Sequence, residues 1–176
     1  MSLESTVPSE VQLGCDELSR RLGEACLARG VRVTTAESCT GGGVASAITA
    51  IAGSSAYFET GYVTYSNAAK QRLLGVSNVT LETHGAVSEA TVREMVAGAC
   101  RDSGAELGVA VSGIAGPEGG SAEKPVGTVW FAWGDERDQH VRCLRLPGDR
   151  QGVRELAVSV ALAGLIELLS QSGPEA

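Results

Sequence analysis

Val31-Arg32-Val33-Thr34-Thr35-Ala36-Glu37-Ser38-Cys39-Thr40-Gly41-Gly42-Gly43 is a β-branched run that breaks into a polar, glycine-rich turn. Its first part, Val31 to Thr35, alternates and reads as a strand. The turn, Glu37 to Gly43, feeds an apolar stretch from Val44 to Ile51 that reads as a helix closed by Gly53. Strand, tight turn and helix in that order make the repeating unit of an α/β sheet.

The chain around this unit keeps alternating. Upstream, Val11, Leu18, Leu22 and Cys26 recur at helical intervals, and Gly30 is a natural stop. Downstream, Tyr62 to Tyr65 reads as a second strand, and a short helix through Lys70, Leu73 and Leu74 ends at Gly75. Ser66 and Asn67 can each cap that helix. Ser88 caps another, with Val92, Met95, Val96 and Ala99 on its inner face. Leu107 to Val111 is an apolar, central strand. Gly127–Trp133 and His140–Leu146, joined by the polar run 135–139, read as an antiparallel hairpin. After Pro147-Gly148-Asp149-Arg150, a last helix carries Val153, Leu156, Ala157, Val160 and Leu165 on one stripe. The expected architecture is a three-layer α/β/α sandwich with a mixed sheet, one domain over residues 1–176, with 1–8 a loose leader.

Composition narrows the function. The 176 residues are 43% hydrophobic, enough for a real core, and carry a formal charge of −7. That balance argues against a nucleic-acid binder, which usually shows a basic face. It leaves room for an anionic small molecule held by a few local cations. Cys15, Cys26, Cys39, Cys100 and Cys143 are odd in number and form no C-x-x-C pair, so neither a disulfide scaffold nor a zinc site is expected. A reduced, cytoplasmic setting fits, and the polar N-terminus has no signal-peptide stretch. His84 and His140 lie far apart without ligand-spaced partners, so no metal is expected. No membrane segment is expected either.

Four segments carry candidate chemistry. In the Glu37–Gly43 turn, Ser38 is placed to attack a carbonyl, and the N–H groups of Thr40, Gly41 and Gly42 can hold a developing oxyanion. From this segment alone, the plainer reading makes Ser38 or Thr40 a simple helix cap. Cys39 is a rival nucleophile, but no His lies in an expected site loop to form the usual pair, so Cys39 reads as packing. Lys70 falls in the first turn of its helix, where a cation is disfavoured; burial there would lower its pKa toward that of a base. A solvated surface lysine is the plainer alternative. The glycines of 112–120 could bring backbone amides to a phosphate or sugar, or form an ordinary loop. Arg150, beside a helix N-terminus, suits an anion, or an ion pair with Asp149 or Glu155.

Taken in order, TTAESCTGG, GYVTYSNAAK, HGAVSE, SGIAGPEGG with EKPVGTVWFA, and PGDR resemble the CinA C-terminal domain family from Leu18 to Leu168. Its enzymatic members are nicotinamide mononucleotide deamidases, so the resemblance implies an amidohydrolase that releases ammonia without a cofactor. It implies Ser38 as nucleophile, Lys70 as base and Tyr65 as a third member that relays or orients protons. It also implies substrate contacts from Ser112 and Arg150; Glu37, Asn67, Gly113 and Gly116 complete the expected set. Larger members of the family carry a further N-terminal domain, so a stand-alone form is expected, as a homo-oligomer with a dimer favoured. Two other readings stay open: a hydrolase of a different small carboxamide, and a non-catalytic module that binds a pyridine nucleotide.

Overall fold

A computed structural model describes residues 9–171. The expected leader at 1–8 lies outside the described residues. A short 3-10 turn at Ser9–Gln12 leads into helix α1 (Cys15–Arg29), which stops at Gly30 in the left-handed region. Then come strand β1 (Val33–Glu37), helix α2 (Gly43–Thr49) and strand β2 (Phe58–Val63). Three helices follow: α3 (Asn67–Leu74), α4 (Asn78–His84) and α5 (Glu89–Ser103). Strands β3 (Leu107–Gly113), β4 (Thr128–Gly134) and β5 (Gln139–Arg145) precede the last helix, α6 (Arg150–Gln171).

The five strands form one sheet in the order β2-β1-β3-β4-β5. β1 pairs in parallel with both β2 and β3, while β3–β4 and β4–β5 are antiparallel. The mixed sheet and the hairpin are as expected, and β3 is central. Helices cover both faces. α1, α2 and α6 pack on the face that presents Val33, Val109, Phe131 and Trp133, and α5 packs with α3 and α4 on the face of Ala36, Ala110, Trp130 and Ala132. The alternation of side chains along a strand splits the core into these two halves. One strand sits further along the chain than expected and one sits earlier. β1 begins and ends two residues later than Val31–Thr35, and β2 is over by Val63. Helix α4, capped by Ser77, was not anticipated. Its seven residues carry only one buried apolar side chain, Leu81, so the apolar stripe that marks a longer helix is missing.

The connections place the site. The chain leaves β1 through α2 on one face to reach β2, then returns through α3, α4 and α5 on the other face to reach β3. The C-terminal end of β1 is therefore where the winding reverses, and such a point leaves a crevice between diverging loops. α6 is fixed over the sheet by Trp133, whose Nε1 donates to the Ala161 carbonyl at 2.9 Å. A Cβ on Gly164 would lie 2.2 Å from the Trp133 ring, so helix and indole meet only because that position has no side chain.

A second close approach gives a stability prediction. A Cβ on Gly98 of α5 would sit 1.9 Å from the Leu74 carbonyl oxygen and 2.7 Å from its carbon, both backbone atoms at the end of α3. Gly98→Ala is expected to destabilise the protein by about 1–3 kcal/mol, because relief requires moving the end of the helix that carries Lys70. Gly14→Ala, where nothing lies within 4 Å, is the control and should leave the urea midpoint nearly unchanged.

Candidate active site

The residue after β1 is Ser38. Its N–H donates to the Val111 carbonyl on β3 at 2.9 Å, which ties the start of the turn to the central strand. Within the turn, Gly41 N–H donates to the Ser38 carbonyl and Gly43 N–H to the Thr40 carbonyl, both at 3.0 Å. Gly41 and Gly42 have φ of 60° and 97°, values that favour glycine, and a Cβ on Gly43 would lie 2.9 Å from Val158 Cγ2. The first N–H groups of α2 are taken by a carboxylate: Glu37 Oε1 accepts from Val44 at 2.8 Å and Oε2 from Ala45 at 3.0 Å. Neither Ser38 nor Thr40 caps this helix. The Ser38 hydroxyl is thereby left for another partner.

That partner is Lys70. Its side chain is fully buried, and Nζ lies 3.1 Å from Ser38 Oγ, 2.7 Å from the Thr64 carbonyl and 3.3 Å from the Tyr65 carbonyl. Thr64 is held in turn, because its own N–H donates to the Glu37 carbonyl at 2.8 Å. Ser66 caps α3 by accepting from Ala69 N–H, which places Lys70 one turn into the helix with its side chain directed back to β1. No carboxylate pairs with Lys70 among the described residues. Burial pushes its pKa down to about 8, and the nearby Cys39 opposes that shift. A neutral amine has two N–H bonds and one lone pair. Two carbonyls and one hydroxyl are what it needs to be satisfied while accepting the Ser38 proton. Cys39 itself is buried, which pushes its thiol up to about 11. A thiol so protonated is a poor nucleophile at neutral pH.

Ser38 and Lys70 open into a cleft of about 280 Å³ lined also by Tyr65, Val87, Ser112 and the glycine loop to Gly119. Arg150 stands at its mouth and also lines a wider outer cleft of about 780 Å³ with Pro117, Val126 and Arg154.

Residues 15–169 match the family model for the CinA C-terminal domain. The chain belongs to the CinA C-terminal domain family. It is 56% identical over 151 residues to the nicotinamide-nucleotide amidohydrolase PncC of Pseudomonas putida, covering 86% of this chain and 94% of that one. The PncC of Escherichia coli K12 is 54% identical over 157 residues, covering 89% and 95%. Among solved structures, the competence damage-inducible protein A of Klebsiella pneumoniae superposes with a TM-score of 0.88 at 45% identity, covering 92% of this chain and all of that one. The competence/damage inducible protein CihA of Agrobacterium tumefaciens does so with a TM-score of 0.85 at 46% identity, covering 93% and 98%.

Against the residues that the CinA resemblance singled out, the structure makes several adjustments. Tyr65 reaches the cleft, but its hydroxyl accepts from Arg150 Nη2 at 3.1 Å, and only its carbonyl touches Lys70. Glu37, expected as a substrate contact, is fully buried with both carboxylate oxygens bonded to α2. Its strand runs two residues further than the alternation suggested, which carries it inside. Of the three expected oxyanion donors, Gly41 N–H is already bonded to Ser38, while those of Thr40 and Gly42 carry no bond among the described residues. Ser112 lines the cleft, with its hydroxyl donating to the Ala86 carbonyl at 2.8 Å. Gly113 and Gly116 line it too. Asn67 is exposed at the start of α3 and does not line the cleft.

Arg150 opens α6, donating from Nη1 to the Gly116 carbonyl at 2.9 Å as well as to Tyr65. It pairs with neither Asp149 nor Glu155: Asp149 Oδ1 accepts from Gly152 N–H at 2.9 Å, and Glu155 accepts from Gln151. The Asp149 carboxylate already occupies the N-terminus of α6. An anion at this point would therefore be held by the guanidinium rather than shared with the helix amides.

Arg154 was missed in the sequence. It lies one turn beyond Arg150 on the same face of α6. Its Nε donates to the Cys39 carbonyl at 3.0 Å and its Nη2 to the Thr40 carbonyl at 3.3 Å. The signal was the i, i+4 arginine pair in DRQGVR. Its reach across 115 positions to the Ser38 turn had none.

No group of three or more His, Cys, Asp or Glu able to share a metal ion lies together among the described residues. Nor is any described helix long and apolar enough to cross a membrane.

Proposed function

We propose that the chain is a nicotinamide-nucleotide amidohydrolase that hydrolyses the carboxamide of nicotinamide mononucleotide, with Ser38 as nucleophile and Lys70 as base. The observation that carries the chemistry is the fully buried Lys70 amine, without a counter-charge, 3.1 Å from Ser38 Oγ. The substrate follows from relatives above half identity over most of both chains.

In this mechanism neutral Lys70 takes the Ser38 proton as Oγ bonds to the carboxamide carbon. In this reading the N–H groups of Thr40 and Gly42, unbonded among the described residues, receive the oxyanion. The C–N bond then breaks, and the proton on Lys70 goes to the leaving nitrogen, which departs as ammonia. Water attacks the ester on Ser38 with Lys70 again accepting a proton. Release of nicotinic acid mononucleotide returns that proton to Ser38. Tyr65 forms a wall of the cleft and holds Arg150 rather than handling protons.

Arg150 is the anchor for the 5′-phosphate. Among the described residues two of its five donors are engaged, and neither acceptor is charged, so a phosphate outcompetes them. The test is ammonia release from nicotinamide mononucleotide and from nicotinamide riboside. Wild type should turn over the mononucleotide in the presence of EDTA. The riboside should be poorer by about 10- to 150-fold, the equivalent of ~1.5–3 kcal/mol for a charge-assisted contact. Arg150→Ala should penalise the mononucleotide by a similar factor and barely affect the riboside. An equal loss on both substrates would move the phosphate to the 112–120 loop.

A further inference from the structure

We infer that Arg154 is a positioning residue for the reaction: by gripping two consecutive carbonyls of the Ser38 turn, it aims the Thr40 N–H at the reacting carbonyl oxygen. The inference rests on the amidohydrolase reading above.

Arg154 is half-buried, and no salt bridge among the described residues includes it. Its two hydrogen bonds both go to the nucleophile turn, from Nε to Cys39 and from Nη2 to Thr40. The planar guanidinium fork suits two adjacent acceptors in a way that an ammonium does not. It sits against the backbone with nothing between: a Cβ on Gly41 would lie 3.3 Å from Arg154 Nη2.

The consequence follows from peptide geometry. The Cys39–Thr40 bond is trans, so its C=O and N–H point in opposite directions. A carbonyl of Cys39 drawn toward Arg154 sends the Thr40 N–H away from it. Arg154 lines the outer cleft and not the Ser38 cleft, whereas Cys39 lines the Ser38 cleft. The N–H is thus turned from the outer cleft, and it carries no hydrogen bond among the described residues. A cation on the carbonyl also polarises the same peptide and makes its N–H a stronger donor, which matters most when the oxyanion is fully charged. Glu37 anchors the other end of the turn through Val44 and Ala45. The turn is held at both ends by charged side chains bonded to its main chain.

The experiment compares Arg154→Ala and Arg154→Lys with wild type on the mononucleotide and the riboside. Arg154→Ala should lose about 100-fold in kcat, as for a lost oxyanion donor, with KM changing by less than about threefold. The loss should be the same on both substrates, and the pH midpoint of Lys70 should stay in place. Arg154→Lys should recover part of kcat. Millimolar methylguanidinium should do the same for the alanine variant, which separates aiming from a general tie between α6 and α2. An unchanged kcat overturns the inference. So does a loss confined to KM for the mononucleotide, which would make Arg154 a phosphate contact. Wild type that releases no ammonia would sink the amidohydrolase reading instead. Labelling of Ser38 by a sulfonyl fluoride, followed by mass spectrometry, still tests Arg154 in that event. It should slow by about tenfold in the alanine variant and recover with methylguanidinium; an unchanged labelling rate overturns the inference.

Discussion

Lys70→Arg is expected to lower kcat by roughly 1,000-fold or more, the range for losing a positioned general base together with activation of its nucleophile. Arginine keeps the positive charge but does not deprotonate near neutral pH. Lys70→Met, close in volume and uncharged, should be equally inactive, so the pair separates base chemistry from electrostatics. Full activity in the arginine variant would show that only charge matters. The pH dependence carries the same test in wild type. Burial lowers the pKa of Lys70 from 10.5 to about 8, so the active, neutral form grows as pH rises. kcat/KM should climb about tenfold per pH unit below about 8 and flatten above it. At pH 7 about a tenth of the molecules carry a neutral amine, against about three in ten thousand for an unshifted lysine. A rate that is flat from pH 6 to 9 would remove Lys70 from the base role. The same shift acts on stability. The unfolded chain holds its proton up to 10.5 while the folded one releases it near 8, so this group makes the fold less stable at low pH and that penalty fades between those two values.

The fold was readable because its signals are local. A β-branched run, a run of glycines and apolar positions at helical spacing gave the element order, and the polar joint at 135–139 gave the hairpin. β1 slipped because Glu37 looked like a turn residue. A carboxylate is ordinarily exposed, and only the two N–H groups of α2 make its burial tolerable. Ser38 and Lys70 were legible as candidates, yet the sequence left each with a plainer alternative. The alternatives fall away in three dimensions: Glu37 does the capping that Ser38 or Thr40 could have done, and Lys70 is inside rather than solvated. The resemblance named Tyr65 and Arg150 without indicating that they bond to each other, since 85 positions separate the connection before α3 from the start of α6. Main-chain partners such as the Thr64 carbonyl are invisible to any reading of side chains, because every residue has one.

Ser38→Ala is expected to abolish deamidation, with kcat falling by roughly 1,000-fold or more, while fold and ligand affinity survive. Among the described residues Oγ makes one hydrogen bond, with Lys70 Nζ, so its removal costs about 1 kcal/mol of stability. The cleft keeps its other walls, and the proposed phosphate anchor lies on α6. Mononucleotide binding to the variant, measured by calorimetry, should therefore stay within a few-fold of wild type KM-derived affinity. Cys39→Ala is the companion. Cys39 is adjacent in sequence and lines the same cleft, but its thiol is held near 11 by burial, leaving roughly one thiolate in ten thousand at pH 7. That variant should keep most of its activity and lose only packing, since Cys39 belongs to the core shared with α6. The two substitutions thus predict opposite outcomes at neighbouring positions. An acyl group trapped by rapid quench should map to Ser38 by mass spectrometry. Residual turnover within a few-fold of wild type in Ser38→Ala, together with loss in Cys39→Ala, would transfer the nucleophile to the thiol and require Lys70 to act on sulfur instead.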